Sequence, residues 1–366
     1  MKSDVLVVGA GPAGLATAIA AANKGLRVTV ADVRRPPINK PCGEGLLPEA
    51  VEALRAVGIE LNSTLGFPLE GFRFSDGTHS ASAPIKQGAA FGLRRTALHD
   101  LLVACATEAG VKFRWGARVA DFSKAGARID GEFLACDWLV GADGMNSSVR
   151  KWAKLGTRTC RSRFGFRKHF SVRPWSKFVD VYWGDGFQLV VTPTRDDEVC
   201  VSFFSINPKL RIEDGLSQFP DVAERLKSAE LISAEQGTMV GLTSTRRVVS
   251  GRVALVGDAS CSVDGIAGHG LSLGLQEALK LADALALGDL HQYELAHLRI
   301  ASLPMRMTRL LLLMDMSSFI RRKTLRLFEN QPELFAKIIS VHTSKPSDEA
   351  FDVNGIVGLG WRVLWA

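Results

Sequence analysis

The chain reads as a mixed α/β protein: a Rossmann-like nucleotide-binding domain, an interleaved antiparallel-sheet domain and a helical C-terminal region. Three observations predict it. The run Asp4-Val5-Leu6-Val7-Val8 leads into Gly9-Ala10-Gly11-Pro12-Ala13-Gly14 and an alanine-rich stretch, the pattern of a buried parallel strand feeding a helix. A second run, Arg27 to Ala31, ends on Asp32, 18 residues beyond Gly14, which completes a βαβ unit with its acid. Between about 155 and 250, short apolar runs separated by turn residues predict antiparallel strands.

The first helix ends near Gly25, a natural stop. Residues 36–48 form a loop rich in Pro and Gly, and 48–57 a helix. Alternating runs over 71–94 predict a β-ribbon. A helix follows over 95–110, then strands over 111–121, 128–133 and 138–140. Residues 178–183, 187–191 and 199–204 predict the strands of the middle sheet. A buried strand returns at 252–256, a helix spans about 271–287, and the pattern stays helical from 292 to about 342. The tail 351–366 is apolar. The nucleotide domain is thus assigned to 1–70, 95–155 and 250–290, the middle sheet to 71–94 and 156–249, and the helical region to 291–366.

The chain has 366 residues, 46% hydrophobic and 23% charged, with a formal net charge of +7, ordinary values for a globular protein. The charge is uneven. Positions 299, 306, 309, 321, 322, 323 and 326 are basic, against one acid, Asp315. Such a patch suits an acidic carrier protein or a lipid surface, or it is a solvated face. No motif points to nucleic acid. Six cysteines without a CxxC pair predict neither a metal site nor a disulfide framework, and suit a reducing cytoplasm. No apolar run reaches the ~20 residues of a membrane span. The expected location is cytoplasmic or peripheral to a membrane.

Glycines at 9, 11 and 14, with Ala13, let backbone N–H groups approach a pyrophosphate at a helix N-terminus. Asp32 is placed to accept from a ribose hydroxyl. Asp258, after a strand, suits the hydroxyls of an extended polyol, and free N–H groups at Gly270 and Leu271 suit negative charge on a ring. That pairing favours a flavin over a nicotinamide.

These segments resemble a known family. GAGPAG with Asp32, GADGMNSSVRK over 141–151, and GDASCSVDGIAGHG over 257–270 are similar to the motifs of FAD-dependent monooxygenases of the para-hydroxybenzoate hydroxylase fold, more narrowly their geranylgeranyl-reductase-like branch. The resemblance covers residues 2 to about 287. It implies FAD, with NAD(P)H as electron donor. It implies that Arg95 contacts FAD, that Val119 meets adenine through its backbone, and that the segment Asp143–Arg150 serves both FAD and the passing donor. Lys40-Pro41-Cys42-Gly43-Glu44-Gly45 is similar to the Lys-Pro-Cys-Gly-Gly element of the reductase branch, beside the flavin. It departs from that element at Glu44.

Cys42 and Glu44 are candidate proton donors or packed loop residues. His269 is a candidate proton relay or a helix cap. Two reactions follow. In one, NAD(P)H-reduced FAD takes up O2 and a flavin hydroperoxide hydroxylates an aromatic or polyketide-like molecule, as in secondary metabolism. In the other, reduced FAD delivers hydride to a carbon–carbon double bond of an isoprenoid or other lipid. Hydroxylation is the favoured expectation. A halogenase lacks its Trp-x-Trp-x-Ile signature here, and a non-catalytic flavin scaffold is the remote alternative. Tyr182, Trp183, Phe187 and Phe203 are expected to line an apolar substrate pocket under the middle sheet.

Overall fold

A computed structural model describes residues 2–343 except Lys124, with the backbone alone at Cys160 and Arg161. The predicted tail 351–366 lies outside the described residues. The helices are α1 (Pro12–Ala22), α2 (Pro48–Ala56), α3 (Arg95–Glu108), α4 (Ser148–Trp152), α5 (Ile212–Gln218), α6 (Pro220–Lys227), α7 (Gly270–Leu287), α8 (Leu290–Met316), α9 (Ser318–Asn330) and α10 (Pro332–His342).

In the first sheet the strands run in the order Val249–Ser250, Val253–Leu255, Glu132–Gly141, Lys2–Val8, Val28–Asp32, Lys112–Trp115. From Val253–Leu255 to Lys112–Trp115 every pairing is parallel. The C-terminal ends of these strands therefore share one edge. The glycine-and-acid segments start there, at Gly9, Ala142 and Val256, which is where an open parallel sheet binds its ligand.

Two details differ from expectation. The strand expected over 111–121 splits, because Gly116 turns the chain with φ +72. The run 128–133 is not one strand: Asp130 and Gly131 both take positive φ and close a hairpin between Gly126–Ile129 and Glu132–Gly141, as an Asp-Gly pair favours.

The second sheet orders its strands Cys261–Ser262, Gln236–Thr245, Thr157–Ser171, Glu198–Ser205, Phe187–Arg195, Phe178–Trp183, Gly71–Ser75, Ser80–Pro84. The ribbon expected over 71–94 supplies two of these strands. Its end, Ala90–Gly92, pairs instead with Gly45–Leu46 and Phe67–Leu69 in a small separate sheet. The 15-residue strand Thr157–Ser171 carries a face of charged residues rather than an apolar alternation, so the pattern did not announce it.

Successive side chains on a strand point to opposite faces, and both faces of this sheet are covered. Val179, Val181, Val190, Ser202 and Phe204 face the cavity described below. Phe187 and Phe203 point the other way, stacked at 5.0 Å beneath α5 and α6 with Ile212, Phe219 and Val222. Tyr182 also turns there, its ring 5.2 Å from Phe219. Trp183 lies on the cavity side but is buried against Phe74, behind the wall. The four aromatics expected to line the pocket are packing residues. The α8–α10 segment closes the cavity, with α9 and α10 against Ser80–Pro84 and α8 against the turn Gly265–Ala267.

Candidate active site

Gly9 takes φ +107, and a Cβ there would lie 2.3 Å from the Ala142 carbonyl oxygen. Gly14 lets α1 start directly on this bend, since its Cβ would lie 2.0 Å from the Gly9 oxygen. No side chain caps α1 at Gly11. The N–H groups of its first turn and the positive end of its dipole are left for an anion, and Gly11, Pro12 and Ala13 line the cavity. Asp32 accepts from the Ala10 N–H at 2.7 Å and the Arg34 N–H at 2.8 Å. Its neighbours in the wall include Val33, Arg34 and Val119. His99 was not anticipated. Fully buried on α3, it holds its Nε2 3.1 Å from the Ala10 oxygen, and burial keeps its pKa below the usual value.

At the other end, Asp258 follows Gly257 (φ +64) and pairs with Lys40 at 3.2 Å. Glu277, wholly buried on α7, braces this turn. It accepts from the Gly257 N–H at 2.7 Å and from the Ser260 hydroxyl, and meets His297 Nδ1 at 2.7 Å. No side chain caps α7, which opens on Gly270 and Leu271. A Cβ at Gly43, Gly45, Gly268 or Gly270 would meet nothing within 4 Å, so these backbones border open space that a planar ring can occupy.

Asp143 accepts from the Ser147 hydroxyl at 2.5 Å and the Ser148 N–H at 2.6 Å. Arg150, 6% exposed, donates to the Ala259 oxygen at 2.9 Å and the Met145 oxygen at 2.5 Å. Arg150 is an internal strut between two motif segments.

A single cavity of ≈ 1370 Å³ joins these parts. Two uncapped helix N-termini, an acid at either end and bare glycine backbone beside open space fit the pyrophosphate, the polyols and the ring of FAD. The volume exceeds the ~300–1,000 Å³ of ordinary ligand sites, which leaves room for a second molecule. Beyond the Cys42 loop the wall becomes apolar, with Phe72, Phe74, Val181, Leu311, Phe335 and Ile338.

The Cys42 loop meets this chamber. Burial pushes the Cys42 thiol up, despite the opposing charge of Arg95, and the Glu44 N–H lies 3.4 Å from its sulfur. Glu44 is 1% exposed at φ +61. Its carboxylate accepts from the Arg95 N–H at 3.0 Å, from Arg167 Nη1 at 2.8 Å and from His169 Nε2 at 2.7 Å. Burial acts to raise its pKa, but the hydrogen bond and charge of His169, the Arg95 N–H and the charge of Arg167 hold it below the usual range. An anion so held is not a proton donor. Glu44 anchors the loop, and Cys42 remains the acid at the cavity. Glu44, His169 and Cys200 bring ligand atoms within 4.8 Å of one another, but the Arg167 guanidinium already neutralises the carboxylate.

His269 neither faces the cavity nor caps α7 with its side chain. It is 2% exposed, with Nε2 3.1 Å from Nδ1 of His342 on α10. Burial and the neighbouring ring hold its pKa well below the usual value, and its Nε2 is engaged by His342 rather than turned to the cavity. The pair ties α10 to the turn before α7.

Burial also lowers the pKa of His342, from 6.5 to about 4. The unfolded chain takes up a proton near pH 6.5 that the fold refuses. Stability is therefore full above pH 6.5 and falls as the pH drops towards 4. In His342→Asn, the loss of stability between pH 7 and pH 5 should shrink by about 2 kcal/mol in urea titrations. An unchanged loss would contradict a neutral buried pair.

A family model described as FAD binding domain matches residues 2–288. The menaquinone reductase of Mycolicibacterium smegmatis is 27% identical over 81% of this chain and 79% of its own length. The digeranylgeranylglycerophospholipid reductase of Methanothrix thermoacetophila is 26% identical over 79% of this chain and 80% of its own. The 6-hydroxy-3-succinoylpyridine 3-monooxygenase HspB of Pseudomonas putida is 25% identical over 78% and 79%. Among solved structures, a flavoprotein/dehydrogenase from Cytophaga hutchinsonii superposes with a TM-score of 0.81 at 18% identity, over 97% of this chain and 95% of that one.

Proposed function

The chain belongs to the FAD binding domain family, an FAD-dependent oxidoreductase, and on that premise we propose that it reduces a carbon–carbon double bond in a polyprenyl chain. The observation that carries this is the apolar chamber. It starts at the Cys42 loop, passes under the middle sheet and ends among α8–α10. An extended hydrocarbon fills such a space, and its burial supplies the binding free energy, ~25 cal/mol per Å². Two of the relatives are reductases named for menaquinone and for digeranylgeranylglycerophospholipid, and both molecules carry polyprenyl chains.

FAD supplies the hydride when it is bound and reduced, and a nicotinamide donor is part of the proposal. The protein binds and orients. Gly9, Gly11, Ala13 and Gly14 hold the pyrophosphate, Asp32 and Asp258 the hydroxyls, and Gly270 with Leu271 the ring. The apolar wall excludes water from the double bond. Cys42, half-buried in the loop with its thiol pushed up and so protonated, is the group placed to supply the proton.

Hydroxylation of an aromatic molecule is the competing reading, supported by the Pseudomonas putida relative. The aromatics expected to line an apolar pocket pack elsewhere, which favours neither reading. Chain-length dependence separates the two readings. Val181 lies beside Phe74 in strand register, and Phe74 meets Phe335 at 5.1 Å at the chamber's far end. Val181→Phe should raise KM at least tenfold for a polyprenyl substrate of four or more isoprene units, while a one- or two-unit substrate keeps its KM. Equal effects on both lengths would count against a chain lying in this chamber.

A further inference from the structure

We propose that the corner between α8 and α9 docks on an anionic lipid surface and admits substrate to the chamber from it; the uptake part rests on the polyprenyl reading above. Three large apolar side chains stand out at this corner: Leu313, 48% exposed, Met316, 70%, and Phe319, 56%. Around them Arg309, Arg322 and Arg326 are exposed, and the Lys323 ammonium lies 5.8 Å from the Phe319 ring centre. The one acid between positions 309 and 326 is Asp315. Its side chain is only 3% exposed and accepts from Gln188 inside the fold. Between positions 309 and 326 the outward face therefore carries cations and no exposed acid, and its apolar tip projects from it. Apolar side chains seated at the acyl boundary with cations at the headgroups are the arrangement of an interfacial helix.

The chamber reaches the surface at the same place. Leu310, Leu313, Ile320 and Thr324 belong to its wall, and Leu313 is also one of the exposed apolar residues. A polyprenyl lipid resides in a bilayer, and a mouth set in an apolar, cationic corner lets it pass without crossing water. No helix among the described residues is long and apolar enough to span a membrane, so the contact is with one leaflet. A second copy of this chain would oppose like charges across the corner. An acidic protein would match the charges but leave the apolar tip and the chamber mouth against a polar surface.

The test uses the FAD-loaded full chain in sedimentation with vesicles. Binding is expected to phosphatidylcholine vesicles carrying about 30 mol% phosphatidylglycerol, weakly to phosphatidylcholine alone, and less in ~0.5 M salt. Arg322→Gln with Arg326→Gln should weaken binding about twenty-five-fold, at about fivefold per charge. Met316→Ser with Phe319→Ser should weaken it about tenfold or more. Neither pair lines the chamber, so FAD content and reduction rate in solution should match the unaltered protein. Absence of binding to the anionic vesicles, binding untouched by both double variants, or a dimer in solution that these variants break would each overturn the proposal. Vesicle binding without any turnover would instead count against the reductase reading, which keeps the two failures apart.

Discussion

Replacing Glu44 with Ala is expected to lower the stability of the fold by about 3–5 kcal/mol, the cost of leaving buried charge without its partner. Arg167 and His169 are each 2% exposed and both end on this carboxylate. Without it, the guanidinium keeps only Asn39 and Gln236, two neutral acceptors. The φ of +61 at position 44 costs a non-glycine residue roughly 1–2 kcal/mol, so Glu44→Gly recovers part of that and should be the milder variant. Glu44→Gln keeps shape and one acceptor and should lie between wild type and Ala. Urea denaturation ranks the four proteins. The order wild type, Gln, Gly, Ala would establish the carboxylate as the anchor of the Cys42 loop, and an Ala variant within about 1 kcal/mol of wild type would contradict it.

The second large effect concerns the cofactor. Gly14→Ala places a Cβ 2.0 Å from the Gly9 carbonyl oxygen and 3.0 Å from the Ala142 Cβ, and neither is the end of a flexible side chain that could yield. The first turn of α1 has to move away from the bend. Two hydrogen bonds to a charged phosphate, at ~1.5–3 kcal/mol each, are then lost or misaligned, and FAD affinity should fall roughly 100- to 10,000-fold. The purified variant should be colourless, and titration with FAD should show the weakened affinity. A yellow Gly14→Ala protein with one FAD per chain would show that pyrophosphate does not sit at this turn.

The cofactor end of the site was legible because its chemistry lives in backbone requirements. Gly9, Gly14 and Gly257 stand where a Cβ would strike neighbouring atoms, and Asp32 ends a strand whose alternation and length are plain. The substrate end was not legible for a matching reason. The strands over 178–205 are buried on both faces, so apolar residues fall on successive positions and the register carries little mark of inside or outside. Phe187 and Phe203 looked as suitable for the pocket as Val190 and Phe204. Nothing local marks the basic residues after Arg150 as buried, yet Arg163 is fully buried against Asp264 at 3.1 Å and Arg167 against Glu44. Their spacing of four, with His169 two further on, was the available sign: three polar side chains on one face of a strand opposite phenylalanines. Glu277 and His99 carried no local signal, since their partners lie 20 and 89 positions away. His269 misled because it adjoins the two residues that open α7, yet its ring turns to α10.

In the proposed function, reduced FAD would hand hydride directly to a polyprenyl double bond. The measurement is a single turnover under anaerobic conditions. Enzyme reduced with NAD(P)H or dithionite is mixed with a polyprenyl substrate in detergent, the flavin absorbance is followed, and the product is weighed by mass spectrometry. The flavin is expected to return to its oxidised spectrum without O2, and the product to be heavier than the substrate by two hydrogens. A flavin that stays reduced until O2 is admitted, with a product heavier by one oxygen, would contradict the proposal and establish the hydroxylase instead.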